Sequence, residues 1–181
     1  MRKYVWAMGF CISLSAAAFA QDATGNRADV YPADYRYNRD FDYRPSEIVP
    51  YRFQADELVA FARQYLGVPY MAGGKDGSGF DCSGFTFYVF RQFGVYLPYY
   101  SSEQAGIGLE IPVTEARRGD LVCFKGYDAT SSQVGHVGIV TSMPGQKLSW
   151  IHAASSKGVS TATLNNAYYK ARFVTVRRVA E

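Results

Sequence analysis

The chain changes its hydrophobic periodicity near its middle, and this change constrains the fold more than any other feature. Up to about residue 105 the apolar residues recur at helical spacing, as Leu58, Phe61, Ala62 and Tyr65 do. Later segments alternate with period two, and we predict strands over residues 121–124, 136–141, 148–153, 159–163 and 173–179. Helices early and strands late, joined by short turns, predict an α+β fold with an antiparallel sheet and helices packed on one face.

A cysteine stands at the predicted start of the second helix, behind a glycine-rich loop. Residues 73–79 contain four glycines and cannot be the interior of a helix or strand. Phe85, Val89 and Phe93 then recur at helical spacing, so Cys82 lies in the first helical turn. Unpaired backbone N–H groups and the helix dipole there favour a thiolate, the form that attacks carbonyl carbons. The alternative is a buried structural thiol.

Residues 1–20 have the features of a cleaved secretory signal peptide. Arg2 and Lys3 form a basic start, an apolar run follows, and a small-x-small motif ends at Ala20. We therefore expect cleavage near Ala20 and an exported protein, periplasmic or extracellular. No other apolar run approaches the length of a transmembrane helix.

The remaining chain divides into an arm and one domain. Residues 21–53 are rich in tyrosine, arginine and aspartate, lack hydrophobic periodicity and are interrupted by three prolines. We predict an extended N-terminal arm, either a solvated linker or a segment whose Tyr and Arg side chains contact sugar or peptide. Residues 54–181 form the single globular domain, since the 181-residue chain is 48% hydrophobic and can bury one sizeable core.

Charge and cysteine content limit the partners of the mature chain. Loss of the signal peptide lowers the formal net charge from +3 to +1, which does not suggest a nucleic-acid partner. It also removes Cys11 and leaves Cys82 and Cys123, which could pair in an oxidising compartment. Cys123 lies in a predicted strand, however, where a small buried apolar residue is the commoner role.

The two histidines of the chain both fall in the strand-rich half. The turn between their strands contains Pro144, and a hairpin centred there would set His136 directly opposite His152, with Cβ atoms about 5 Å apart. A thiol at a helix start, an imidazole to accept its proton and a second polar group to orient that imidazole predict a catalytic triad.

Several short motifs occur in order between about residues 58 and 179. They are GVPY at 67–70, GG at 73–74, DCSG at 81–84, RGDLV at 118–122, GHVGI at 135–139, IHA at 151–153 and RRV at 177–179. Together they resemble the NlpC-type family of bacterial cell-wall cysteine peptidases.

The resemblance implies a papain-like α+β fold and cleavage of peptidoglycan stem peptides. The expected bond is the one between D-isoglutamate and the following diamino acid. The implied catalytic residues are Cys82 as nucleophile, His136 as general base and His152 as the orienting residue. The implied substrate-binding residues beside the cleft are Tyr70, Asp81 and Ser83.

Other interpretations remain open at this point. Asp81 could serve only as the N-cap of the Cys82 helix, and Tyr70 could fill the core. A zinc site is possible in composition, but no paired-ligand spacing is present, and we expect no metal or cofactor. The whole domain could be an inactive wall-binding module, or an amidase or acyltransferase with the same triad. We expect peptidoglycan as the partner, no nucleic acid, and a monomer.

Overall fold

The computed structural model describes residues 54–180. The predicted signal peptide and the arm up to residue 53 lie outside the described residues. The helices are α1 (Ala55–Arg63), α2 (Cys82–Arg91), α3 (Ser101–Gln104) and α4 (Ala167–Lys170). The strands are β1 (Lys75–Asp76), β2 (Gly79–Phe80), β3 (Leu109–Ile111), β4 (Leu121–Lys125), β5 (Val134–Val140), β6 (Ser149–Ala154), β7 (Gly158–Thr163) and β8 (Phe173–Arg178).

The five longer strands of the sheet are the five that the alternating pattern predicts. They join β3 in a six-stranded sheet of order β3-β8-β4-β5-β6-β7, and every neighbouring pair is antiparallel. Strands β1 and β2 form a separate short hairpin inside the glycine-rich loop. The predicted α+β class is therefore confirmed. Strands β1 to β3 and helix α4 were not predicted, because two to four residues are too few to show a period.

Both faces of the sheet carry apolar clusters, and the prediction of helices on one face is incomplete. Helices α1 and α2 cover the face that presents Leu121, Val137 and Ile151. The opposite face presents a second cluster, which includes Val122, Phe124, Val140, Trp150 and Val176. Tyr169 of α4 packs against this second cluster. No helix among residues 54–180 is long and apolar enough to cross a membrane.

The predicted register of the β5–β6 hairpin is wrong by two residues. Ile139 pairs with Ile151 and Val140 with Trp150, so the hairpin is centred on Gly145 rather than on Pro144. Gly145 adopts a positive φ of 76°, which a glycine tolerates and which lets the chain turn there. A shift of two residues does not change the face on which a side chain lies. His136 and His152 therefore still share a face, as diagonal neighbours.

A buried ion pair joins the ends of two central strands. Asp120, just before β4, is only 2% exposed and accepts hydrogen bonds of 2.9 Å from both Nε and Nη2 of Arg178, at the end of β8. Asp120 also accepts the backbone N–H of Arg117 at 2.9 Å. These bonds satisfy a carboxylate that would be costly to bury alone. Asp120 of the RGDLV motif and Arg178 of the RRV motif therefore have a structural role.

Candidate active site

Cys82 is the first residue of α2, as the sequence predicts, and the residue before it fixes that helix end. The Asp81 carboxylate accepts the backbone N–H of Gly84 at 2.6 Å, which is an N-cap bond, and the N–H of Gly73 at 3.0 Å. The backbone N–H of Asp81 in turn donates to the Gly74 carbonyl at 2.9 Å. Two hydrogen bonds thus join the glycine-rich loop to Asp81, and a third caps the helix, so Asp81 is an N-cap residue.

A buried glutamine that the sequence analysis missed holds the first turn of α2 from the other side. Gln104 is fully buried, and its Nε2 donates to the carbonyls of Ser83 at 3.2 Å and Pro98 at 2.8 Å. Its Oε1 accepts the Thr86 hydroxyl at 2.7 Å. Every polar atom of the amide therefore has a partner, which a buried amide requires. No periodic pattern could reveal this residue, because its partners lie up to 21 positions away.

The thiol of Cys82 lies against the start of β5. Its Sγ is 3.9 Å from the carbonyl oxygen of Gly135, the residue before His136. The β4–β5 register shifts between Phe124 and Lys125, at the place where β5 passes Gly135. A Cβ on Gly135 would come within 2.7 Å of the Gly126 Cα, so only glycine fits there. The bulge and the glycine let β5 pass close to the backbone of Gly126 at the point where the Gly135 carbonyl meets the thiol.

The two histidines contact each other through one nitrogen of each ring. Nε2 of His136 lies 2.6 Å from Nδ1 of His152, and their rings meet edge to face. The β5–β6 register places Gly138 opposite His152, and a Cβ on Gly138 would lie 2.7 Å from Trp150 Cδ1 and 3.1 Å from His152 Cβ. The missing side chain of Gly138 therefore leaves the space in which the diagonal histidine pair forms.

A tyrosine from α4 completes this row of polar groups, and the sequence analysis missed it as well. The Tyr169 hydroxyl lies 3.4 Å from Nε2 of His152. Its ring stacks with the His136 ring at an interplanar angle of 27°. Asn166 caps the short helix by accepting the backbone N–H of Tyr168 at 2.9 Å. An N-cap followed by one helical turn was the only local signal for this segment.

The predicted site residues divide between a cleft and its supporting structure. A cleft of about 610 Å³ is lined by Cys82, His136 and His152, and also by Tyr70. Burial raises the pKa of Tyr70, as do the neighbouring Cys82 and Asp81, so its hydroxyl stays protonated beside the thiol. Asp81 and Ser83 are not among the residues that line the cleft. Ser83 is 8% exposed, and its hydroxyl donates to Asp81 at 3.2 Å.

The ionisation expected of Cys82 is wrong for the resting structure. Backbone N–H groups at the helix start and on β5 do lower the pKa of Cys82, but burial, aided by the Asp81 charge, outweighs them and raises this pKa above its ordinary value. Burial also lowers the pKa of His136 to about 4. Burial and the adjacent His136 lower the pKa of His152 to about 3. At neutral pH the three groups are therefore a thiol and two neutral imidazoles.

We expect iodoacetamide to modify Cys82 slowly at mildly acidic pH and progressively faster as the pH rises into the alkaline range, because the thiolate is the reacting form and burial raises the pKa of the thiol. Cys123 should react much more slowly at every pH. It is fully buried in β4, and burial raises its pKa to about 12. Mass spectrometry of peptides from timed samples gives both rates. A modification rate of Cys82 that is already maximal at pH 6 would contradict a protonated Cys82 thiol at neutral pH. A faster reaction of Cys123 would contradict Cys82 as the accessible thiol.

Both cysteines in the described part of the chain, Cys82 and Cys123, are free, so the possible disulfide between them is not formed. Cys123 is instead a buried member of the core, as its strand position predicts. Within residues 54–180 there is no group of three or more His, Cys, Asp or Glu side chains arranged to hold a metal ion.

Known proteins match this chain over the same region that contains the short motifs. The profile of the NlpC/P60 family matches residues 67–178 of this chain. The probable endopeptidase NlpC of Escherichia coli (strain K12) is 41% identical over 119 residues, which cover 65% of this chain and 73% of that protein. The gamma-D-glutamyl-L-lysine dipeptidyl-peptidase of Bacillus subtilis (strain 168) is 32% identical over 139 residues, 75% of this chain.

Solved structures agree with the sequence matches. The NlpC/p60 domain of the peptidoglycan hydrolase SagA is 31% identical, with a TM-score of 0.58, over 70% of this chain and 99% of that domain. The chain spans only 45% of the length of the Bacillus subtilis relative. The shared part contains the Cys82 helix and both histidine strands, since the matching profile runs from residue 67 to residue 178. The chain therefore belongs to the NlpC/P60 family.

Proposed function

We propose that this protein is a cysteine endopeptidase that cleaves peptidoglycan stem peptides. The observation that carries the proposal is the shared cleft, which is lined by Cys82, His136 and His152 and in which the two imidazoles lie 2.6 Å apart. A wall-binding module would have no use for a thiol at a capped helix end beside paired imidazoles. The fold and the family membership supply the context for this chemistry.

The geometry suggests how the three groups would act. His136 uses Nε2 to contact His152, which leaves Nδ1 as the nitrogen available to the thiol. In the proposed reaction Sγ of Cys82 bonds to the peptide carbonyl carbon while Nδ1 of His136 takes the thiol proton. His136 then gives this proton to the departing amine. Water releases the acyl group and returns a proton to the sulfur through the same imidazole.

His152 orients His136, and Tyr70 faces the substrate in this proposal. Tyr70 lines the cleft beside the thiol, so its hydroxyl can contact the peptide near the bond that is cut. A direct contact of Asp81 or Ser83 with substrate stays a prediction. The Asp81 carboxylate already accepts two backbone N–H groups and the Ser83 hydroxyl, so its principal role is to hold the helix end.

The charge of the cleft favours an acidic substrate. Of the described residues that line it, none is Asp or Glu, whereas Lys125 and Lys157 are lysines. A peptide linked through the γ-carboxyl of glutamate keeps a free α-carboxylate beside the bond to be cut. The Bacillus subtilis relative is named as a gamma-D-glutamyl-L-lysine dipeptidyl-peptidase. We therefore infer that the bond between D-glutamate and the diamino acid is the one cleaved.

Reversing the charge of Lys157 should weaken binding of such a substrate. The side chain is exposed at the edge of the cleft, so we expect Lys157→Glu to raise KM about 3- to 10-fold at low salt while kcat changes little. Steady-state kinetics with a soluble γ-glutamyl peptide measures both constants. The control is Lys147→Glu, an equal charge change at an exposed residue of the β5–β6 turn. Equal KM values for the two variants would argue against a role for Lys157 in binding an acidic substrate.

Mass spectrometry of muropeptides tests the proposed activity directly. Purified sacculi are digested with the protein or with Cys82→Ala, and we expect products cut on the carboxyl side of D-glutamate with the wild-type protein alone. Release at the lactyl amide would identify an amidase instead. New reducing sugar ends would identify a glycosidase. Binding to sacculi without any product would favour the inactive wall-binding module.

We also propose that the protein is exported and that residues 54–181 are the catalytic domain. The features of residues 1–20 are those of a signal peptide, and a peptidoglycan substrate lies outside the cytoplasmic membrane. The matched residues 67–178 fall within the proposed domain. The arm at 21–53 is a candidate contact for the polymer through its tyrosine and arginine side chains. We expect the protein to act as a monomer.

A further inference from the structure

The contact between Tyr169 and the histidine pair has a consequence for proton transfer. A neutral imidazole carries its proton on one ring nitrogen only. Either histidine can therefore be the donor in the hydrogen bond that joins the two rings. In one direction Nε2 of His136 donates to Nδ1 of His152, and Nδ1 of His136 is free to accept the Cys82 proton. In the other direction His152 donates, and the proton of His136 sits on Nδ1, the nitrogen that accepts the thiol proton in the proposed reaction. The second arrangement cannot accept a proton from the thiol.

The productive direction places a proton on Nε2 of His152. This nitrogen is the one that faces the Tyr169 hydroxyl at 3.4 Å. His152 is 1% exposed, so an N–H on that nitrogen needs a hydrogen-bond acceptor supplied by the protein. Burial raises the pKa of Tyr169, which keeps its hydroxyl neutral, and a neutral phenol oxygen still accepts a hydrogen bond.

Four aromatic side chains of the sheet hold the Tyr169 ring in place. Its centroid lies 5.3 Å from that of Phe124, 5.1 Å from Trp150, 5.4 Å from His152 and 6.2 Å from His136. The hydroxyl is therefore fixed by packing that a phenylalanine ring would preserve. Catalytic hydrogen bonds in unliganded sites are often long, and a bond of 3.4 Å on a fixed ring is consistent with that behaviour.

We propose that Tyr169 is a positioning residue that accepts the Nε2–H of His152 and so keeps the histidine pair in its productive tautomers. The inference rests on the proposed function only in taking His136 as the base. Without the hydroxyl, an Nε2–H on His152 would be buried with no acceptor, and the proton moves to Nδ1. Nδ1 of His152 then donates to Nε2 of His136, and the proton of His136 lies on its Nδ1. That nitrogen can no longer accept the proton of Cys82.

The test removes the hydroxyl alone with Tyr169→Phe. We expect kcat on a soluble γ-glutamyl peptide to fall about 10- to 100-fold with KM within about twofold of the wild type, because the change acts on proton transfer. The control is Tyr88→Phe, which removes a partly buried hydroxyl that lies 2.9 Å from the Tyr65 hydroxyl and belongs to no cleft residue. Its kcat should equal that of the wild type. Thermal unfolding of both variants shows that each is folded.

Histidine 15N NMR reads the tautomers without any assay of activity. The chain has two histidines, so protein labelled at histidine and prepared without a histidine tag gives two ring systems, which the His152→Asn variant assigns. We expect a protonated Nε2 and an unprotonated Nδ1 for His152 in the wild type, and the reverse in Tyr169→Phe.

The two readouts separate failure of this inference from failure of the proposed function. A wild-type protein with an unprotonated His152 Nε2, or a Tyr169→Phe variant with unchanged tautomers or unchanged kcat, overturns the role of Tyr169. If the wild-type protein cuts no peptide at all, the proposed function fails, and the NMR spectra alone decide whether Tyr169 sets the tautomer.

Discussion

Replacing His136 with alanine is expected to lower kcat/KM about 10⁴-fold, close to the loss caused by Cys82→Ala, because in the proposed mechanism Nδ1 of His136 takes the thiol proton. In the proposed mechanism His152 has a lesser task, which is to accept the Nε2–H of His136 across the 2.6 Å contact between the two rings. The Oδ1 of an asparagine can occupy the position of Nδ1 and accept the same bond. His152→Asn should therefore keep measurable turnover, whereas His152→Ala should lose about 10²-fold or more.

Steady-state kinetics on a γ-glutamyl peptide ranks the four variants, and circular dichroism confirms that each is folded. The predicted order of activity is wild type, His152→Asn, His152→Ala, and then His136→Ala together with Cys82→Ala. An active His136→Ala, or a dead His152→Asn beside a functioning His152→Ala, would reverse the roles assigned to the two histidines.

Gly84→Ala is expected to destabilise the protein by about 2–3 kcal/mol and to reduce its activity, against the usual preference for alanine in a helix. If α2 were an isolated helix, replacing its glycine with alanine should stabilise the helix by about 1 kcal/mol. In the fold, however, a Cβ on Gly84 would overlap the Gly74 carbonyl oxygen and come within 3.1 Å of the capping oxygen of Asp81. Both neighbours hold the helix end that carries Cys82, so relief of the overlap must displace the thiol.

Chemical denaturation measures the loss of unfolding free energy, and Gly77→Ala, in the glycine-rich loop that α2 contacts, is the matched control. A Cβ on Gly77 would meet only the Tyr65 ring, at 3.9 Å, and its φ is not positive. We expect its unfolding free energy to stay within about 0.5 kcal/mol of the wild type, with full activity. A stable and active Gly84→Ala would show that the glycine of the DCSG motif is not needed for close packing on the loop.

The sequence alone was sufficient for the element types and for the parts of the site that are local. Periods of 3.6 and of two residues reflect which faces are buried, so helices α1 and α2 and strands β4 to β8 could be predicted from spacing. Cys82 follows a glycine-rich loop and an N-cap, both local signals, and its place at the helix start follows from them. The shared face of the two histidines also survived a wrong register, because a shift of two residues keeps every side chain on its face.

The tertiary structure alone decided the features that depend on distant segments. The hairpin register was set by a turn at Gly145 rather than Pro144, which made His136 and His152 diagonal neighbours across Gly138. Gln104 and Tyr169 reach the site from 21 and 17 residues away, and neither lies in a segment long enough to show a period. The protonation state of Cys82 was predicted wrongly because helix position is local, whereas burial, which raises its pKa, comes from segments that pack around the thiol only in the folded chain.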